Sequence, residues 1–133
     1  MSHWATAPLN RNQTALFSPT LDHNICDDHP VRLFDEVLGA IDFSDWESQY
    51  HRVIGQPPIH PRILAKGILY GLSLGIRSSR KLEEASVNRL DFIWLLEGRT
   101  PDHATICAFR TRYTQPLKDL FSKVGRVAMA WGW

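Results

Sequence analysis

The sequence predicts an all-α fold: a compact multi-helix bundle containing a helix-turn-helix-like unit. Three observations predict it. Apolar residues recur at helical spacing along most of the chain, and no alternating strand-like run interrupts them. Six to seven of these stretches carry their own start or stop signals. The 133 residues, 44% hydrophobic with five Trp, suffice for one core in one domain.

Residues 1–24 carry Pro8, Pro19 and several Thr and Asn without a helical period, and are expected to form a flexible arm with one extended piece at Ala15 to Phe17. The helical domain is expected over 25–129, with a short tail at 130–133. The first helix begins near Asp28, with Pro30 at an early position where its missing N–H is harmless. Val31, Phe34, Val37, Leu38 and Ile41 supply its period. Ser44 and Glu47 form a capping box for a second helix carrying Trp46, Tyr50, Val53 and Ile54. Gly55 ends it, and Gln56-Pro57-Pro58 makes a stiff connector.

His60-Pro61 starts the third helix. Ile63, Leu64, Ile68, Leu69, Leu72 and Leu74 are apolar on more than one face, which predicts a central position. Gly67 and Gly71, four apart, predict the close approach of a neighbouring helix. Gly75 stops this helix, and Ser78-Ser79 caps the fourth, with Leu82 and Ala85 inward and Arg80, Lys81, Glu83 and Glu84 outward. A fifth helix over Leu90 to Leu96 is expected to bury Phe92, Ile93, Leu95 and Leu96 and to end at Gly98. Thr100-Pro101-Asp102 is the clearest helix start in the chain. Ala104, Ile106, Cys107, Phe109 and Tyr113 are its apolar positions. A last helix runs from Gln115 to about Met129 through Leu117, Leu120, Phe121, Val124, Val127 and Ala128.

The net charge of +1 hides an asymmetry. Residues 1–59 hold three basic and eight acidic side chains, a net of −5; residues 60–112 hold nine and five, a net of +4; residues 113–133 hold three and one, a net of +2. Such a division suits a basic face for phosphate and an acidic face for solvent or another protein, although helix surfaces also sort charge without a partner. The N-terminus lacks the basic start and apolar run of a signal peptide, and no apolar stretch is long enough to span a bilayer. Cys26 and Cys107 suit a reduced, cytoplasmic protein better than a disulfide framework.

The helix from Asp102 to Tyr113 is the best candidate for reading DNA. Recognition helices contact base edges mainly from their N-terminal half, which here offers His103, Ala104 and Thr105. The helix start also favours a phosphate, and Arg110 and Arg112 lie a turn or two later. Arg77, Ser78, Ser79, Arg80 and Lys81 gather cations, hydroxyls and free amides at a second helix start, a composition that clamps phosphate. The plainer alternatives are an amphipathic helix with solvent-facing arginines and simple helix capping. His23, Cys26 and His29 have a metal-like spacing but no fourth ligand, so no metal site is assigned. No Gly-rich phosphate loop, nucleophile elbow or converging carboxylate set is visible, and no catalytic residue or cofactor is assigned.

With those residues read, the chain resembles the N-terminal domain of InsH-like insertion-sequence transposases. The matching pieces are DHPVRLFDEVL from Asp28, HPRILAKGILYGLSLGIRSSRKLEEA from His60, and FIWLLEGRTPDHATICAFRTRY from Phe92, spread over about Leu16 to Val127. The resemblance implies a domain that binds the double-stranded terminal inverted repeats of a mobile element. It also implies that the acidic-triad, RNase H-like catalytic domain following in that family is absent, so that the chain, a truncated or split transposase, is non-catalytic alone. The competing expectation is a protein-interaction module that pairs with itself or with full-length transposase as an inhibitor or assembly subunit.

Overall fold

The computed structural model describes residues 4, 5, 7, 11, 21–47 and 59–130; the side chains of Leu21, Glu47 and residues 127–130 lie outside the description. The described residues are all-helical, with no strand among them, and the helices pack as a compact bundle. None of these helices is long and apolar enough to cross a membrane. The expected second-helix residues Tyr50, Val53 and Ile54 and the connector after Gly55 fall outside the described residues.

A 3-10 turn at Leu21–Asn24 leads into α1 (Pro30–Gly39). The cap of α1 is His29, whose Nδ1 accepts the Val31 amide at 3.1 Å, one residue beyond the expected Asp28. Arg32 organises the preceding turn: its guanidinium donates to the carbonyl oxygens of Asp22, Ile25 and Cys26 at 2.8–2.9 Å and to the Asp22 carboxylate at 3.1 Å. One arginine thus ties together three carbonyls of the turn ahead of α1. α2 (Ser44–Glu47) is short, and Asp42 caps it by accepting the Ser44 amide at 2.9 Å.

α3 (Pro61–Ser73) is the central helix and is buried from Ile63 to Gly71. Its cap repeats the device of α1: His60 Nδ1 accepts the Arg62 amide at 3.0 Å, and Pro61 follows. Burial includes Lys66, whose ammonium reaches Asp35 of α1 at 2.7 Å; Arg11 approaches the same carboxylate at 3.1 Å. The two glycines of α3 face its neighbours. A Cβ on Gly71 would lie 2.4 Å from Leu82 of α4 (Ser79–Asn88), and one on Gly67 would lie 3.3 Å from Leu96 of α5 (Leu90–Leu96).

α5 buries Phe92, Trp94, Leu95 and Leu96, while Ile93 is only half-buried. This corrects the expectation that Ile93 points inward. The Trp94 indole takes the inward direction because its N–H has a partner, the Asp22 carboxylate at 2.9 Å, and two guanidiniums, Arg11 and Arg32, stack over its ring at 4.5 and 5.1 Å. Asp91 is buried as well, accepting from the Tyr70 hydroxyl at 2.6 Å, from Arg89 at 3.0 and 3.2 Å and from the Phe92 amide at 2.9 Å. Burial raises the Asp91 pKa, but the bonds from Arg89 and Tyr70 outweigh it and hold the carboxyl below its usual range. Glu97 ends α5 at φ 54°, and the next residue, Gly98 at φ 80°, donates its amide to the Ile93 carbonyl.

α6 (His103–Arg112) runs into α7 (Thr114–Ala130) across the single residue Tyr113. α6 buries only Ile106 and Phe109 of its apolar positions, while Ala104 and Cys107 are exposed. Its C-terminal half is fixed by an aromatic cluster. Trp46 of α2 stacks on Phe109 and Tyr113 at 5.9 and 4.9 Å, and Phe43 meets Trp46 at 5.2 Å. α7 lies on α1 and α3 and buries Leu117, Leu120 and Val124, leaving Phe121 39% exposed.

Candidate nucleic-acid interface

The surface built by α4, α6 and the start of α7 carries the predicted polar residues. Asp102 caps α6 by accepting the Thr105 amide at 2.7 Å; that amide, then the Thr105 hydroxyl, hold the Asp102 carboxyl below its usual range. From α4, Glu83 Oε1 accepts both the amide and the ring Nδ1–H of His103, each at 2.7 Å. The His103 ring, then its amide, depress the Glu83 pKa. Two carboxylates therefore occupy the first-turn amides of His103 and Thr105. The positive helix start expected to favour a phosphate is already served by these two carboxylates.

At the other end of α6, an N–H of Arg110 donates to the Arg77 carbonyl ahead of α4. This contact brings the two predicted basic clusters together. Ser78 caps α4 by accepting the Lys81 amide at 3.4 Å, and Arg77, Arg80 and Lys81 are all exposed there. Arg77, Ser79 and Arg110, with Lys118 of α7, rim a groove of about 620 Å³ floored by Ile68, Leu72, Leu117 and Phe121. Arg112 lies outside the groove, exposed, with its guanidinium 5.6 Å over the Tyr113 ring.

The outward stripe of α6 is made of Ala104, Thr105, Ala108, Thr111 and Arg112, all exposed. At 100° per residue these positions share one face. Small side chains there let a flat or grooved partner approach the helix backbone. Arg77, Arg110 and Lys118 flank that stripe on one side, and His103 sits at its head.

Sequence reading missed Glu83 as the tie to α6, and it missed Lys118. Glu83 is 20 residues from His103, and no local spacing marks such a contact. Lys118 is one of three basic residues in the last helix, and only the fold places it on the groove. In the metal-like His-Cys-His triplet, His29 spends its Nδ1 on the α1 cap and the Cys26 carbonyl serves Arg32.

A family model described as Transposase domain (DUF772) matches residues 19–112. No curated protein and no solved structure matches the chain.

Proposed function

The chain belongs to the family of the transposase domain DUF772, and from that premise we propose that it is the DNA-binding part of a transposase, with α4 and α6 acting as a helix-turn-helix-like unit. The observation that carries the reading is α6 itself. It is anchored by two buried residues and an aromatic cluster, it presents Ala104, Thr105, Ala108 and Thr111 outward, and its own Arg110 lies with Arg77 and Lys118 along one side. A helix so placed fits a major groove, with Thr105, Thr111 and Arg112 towards base edges and the flanking cations on the phosphates. The target this reading assigns is the double-stranded terminal inverted repeat of a mobile element.

Fluorescence anisotropy with labelled duplexes across a salt series tests it. Each phosphate contact contributes about 0.9 to the slope of log K against log salt. Alanine at Arg77, Arg80, Lys81, Arg110 or Arg112 is expected to weaken binding and lower that slope by about one where a phosphate contact is lost. His103 and Thr105 variants are expected to keep the slope and change the sequences recovered from random duplexes. A folded quintuple Ala variant that binds like the parent at every salt concentration sinks the assignment.

The second reading, pairing with another copy or with a longer transposase, is favoured by a different observation: the groove floor is apolar, and Phe121 and Leu74 are exposed at 39% and 43%. Sedimentation across a concentration series tests it. Phe121→Ser is expected to weaken any association, and a strictly monomeric parent at high concentration removes this reading.

A further inference from the structure

At the N-terminal end of α3 a second pocket, of about 500 Å³, is lined by His60, Arg62, Lys66 and Arg99, with Trp4 and Glu97 among its other walls. It lies apart from the groove beside α6. The two pockets share no lining residue.

Three cations and one carboxylate line this pocket, and their existing bonds leave a specific deficit. Lys66 is tied to Asp35 at 2.7 Å. Arg99 donates to the carbonyls of Ala5 and Leu96 and approaches Glu97 at 3.6 Å, yet its Nε–H is buried without an acceptor among the described residues. Arg62 donates to the Ile41 carbonyl and lies over the Phe43 ring, and its Nε–H is likewise buried and unmatched. The charge nearest in effect to Arg62 is the Asp42 carboxylate, held below its usual range by its bonds from Ser44 first and by the Arg62 charge as a lesser cause, without a direct ion pair. His60 Nδ1 accepts the Arg62 amide. Both of the buried side-chain N–H groups without acceptors among the described residues belong to the arginines of this one pocket. Unmatched buried donors on permanently charged groups are costly and attract an acceptor-rich anion.

We propose that this pocket is a phosphate-type oxyanion site in which Arg62 is the leading ligand. Arg99 completes a two-guanidinium clamp, Lys66 adds to the field, and Glu97 weakens the site by its charge. A phosphate group offers acceptors on several sides, as two guanidinium forks require. The phosphate is either a free one or a diester in a nucleic-acid backbone.

Thermal unfolding of the full chain with inorganic phosphate, pyrophosphate or chloride at matched ionic strength tests this. The parent is expected to be stabilised saturably by the phosphates and not by chloride. The R62Q/R99Q variant is expected to lose that response, and R77A/R110A to keep it. E97Q, which removes the one carboxylate lining the pocket, is expected to bind pyrophosphate about three- to tenfold more tightly, the size of one nearby charge. Because E97Q gains binding, it remains informative if the double variant fails to fold. Equal responses to phosphate and chloride in the parent overturn the proposal, as does an E97Q affinity no higher than the parent's. Duplex binding separates the sources: a smaller salt slope in R62Q/R99Q assigns the site to a backbone phosphate. Unchanged duplex binding with a lost pyrophosphate response assigns it to a free one.

Discussion

The same substitution, Gly→Ala, should have opposite effects at two positions of this protein. Gly125 lies in α7, is exposed, and a Cβ there meets nothing within 4 Å. Alanine then supplies its helix propensity unopposed, a gain of about 0.5–1 kcal/mol. Gly71 lies in α3, where a Cβ would stand 2.4 Å from Cδ2 of Leu82 and 3.3 Å from the Ile76 carbonyl oxygen. The same propensity gain is available, but Leu82 is 4% exposed and has little room to retreat. Overpacking of this kind costs about 1–3 kcal/mol, so the expected net is a loss of about 1 kcal/mol. Urea unfolding reads the difference: with m of about 2 kcal/mol/M, the two midpoints should separate by about 1 M. Leu82→Val should relieve the clash, so Gly71→Ala should cost less in that background than in the parent, a coupling a double-mutant cycle measures. If Gly71→Ala stabilises as much as Gly125→Ala, then α4 does not rest on α3 as described, and the placement of Glu83 beside His103 loses its support.

Removing the Tyr70 hydroxyl with Tyr70→Phe should cost about 1–2 kcal/mol in urea unfolding, since the bond is to a buried carboxylate that keeps Arg89 and the Phe92 amide as partners; a cost near zero would show that bond to be unimportant. His60→Ala should cost about 1 kcal/mol through loss of the α3 cap, and His60→Asn should recover most of it; equal stabilities of the two variants would exclude a capping role. Glu83 and Asp102 have folded pKa values below their unfolded ones, so the stability they contribute is complete above the ordinary carboxylate range of about pH 4 and is lost as pH falls through the depressed values. The E83Q/D102N variant should accordingly show a shallower fall of Tm on acidification below about pH 5 than the parent, and an identical acid limb would refute the linkage.

The helices were legible in the sequence because their signals are local. Pro30, Pro61 and Pro101 mark three starts, and apolar spacing marks the buried faces of α1, α3 and α7. The caps were less legible. His29 and His60 each cap through Nδ1, a use of histidine that preference tables for Ser, Thr, Asp and Asn do not suggest. Burial failed where tertiary partners decide it. Trp94 displaces Ile93 from the core only because Asp22 and Arg32 wait for it from 60 or more residues away, and Asp91 goes inward only because Tyr70 and Arg89 meet it. The candidate surface was legible as two basic clusters and a capped helix. Their joining through Arg110 and the Arg77 carbonyl was not, because a side-chain to backbone bond across 33 residues leaves no pattern in composition.

The junction of α6 and α7 has a mechanical consequence. Tyr113 alone separates them, its amide bonded back to Phe109 and its carbonyl accepting the Leu117 amide. A one-residue joint bonded on both sides has no slack, so it fixes the angle between α6 and α7, braced by the Trp46–Tyr113 stack. α7 has 17 residues and extends about 25 Å, so a 10° change in that angle would carry the far end of α7 through about 4 Å. The angle between α6 and α7 is therefore held at both ends, by this joint and by the packing of Leu117, Leu120 and Val124 against the bundle.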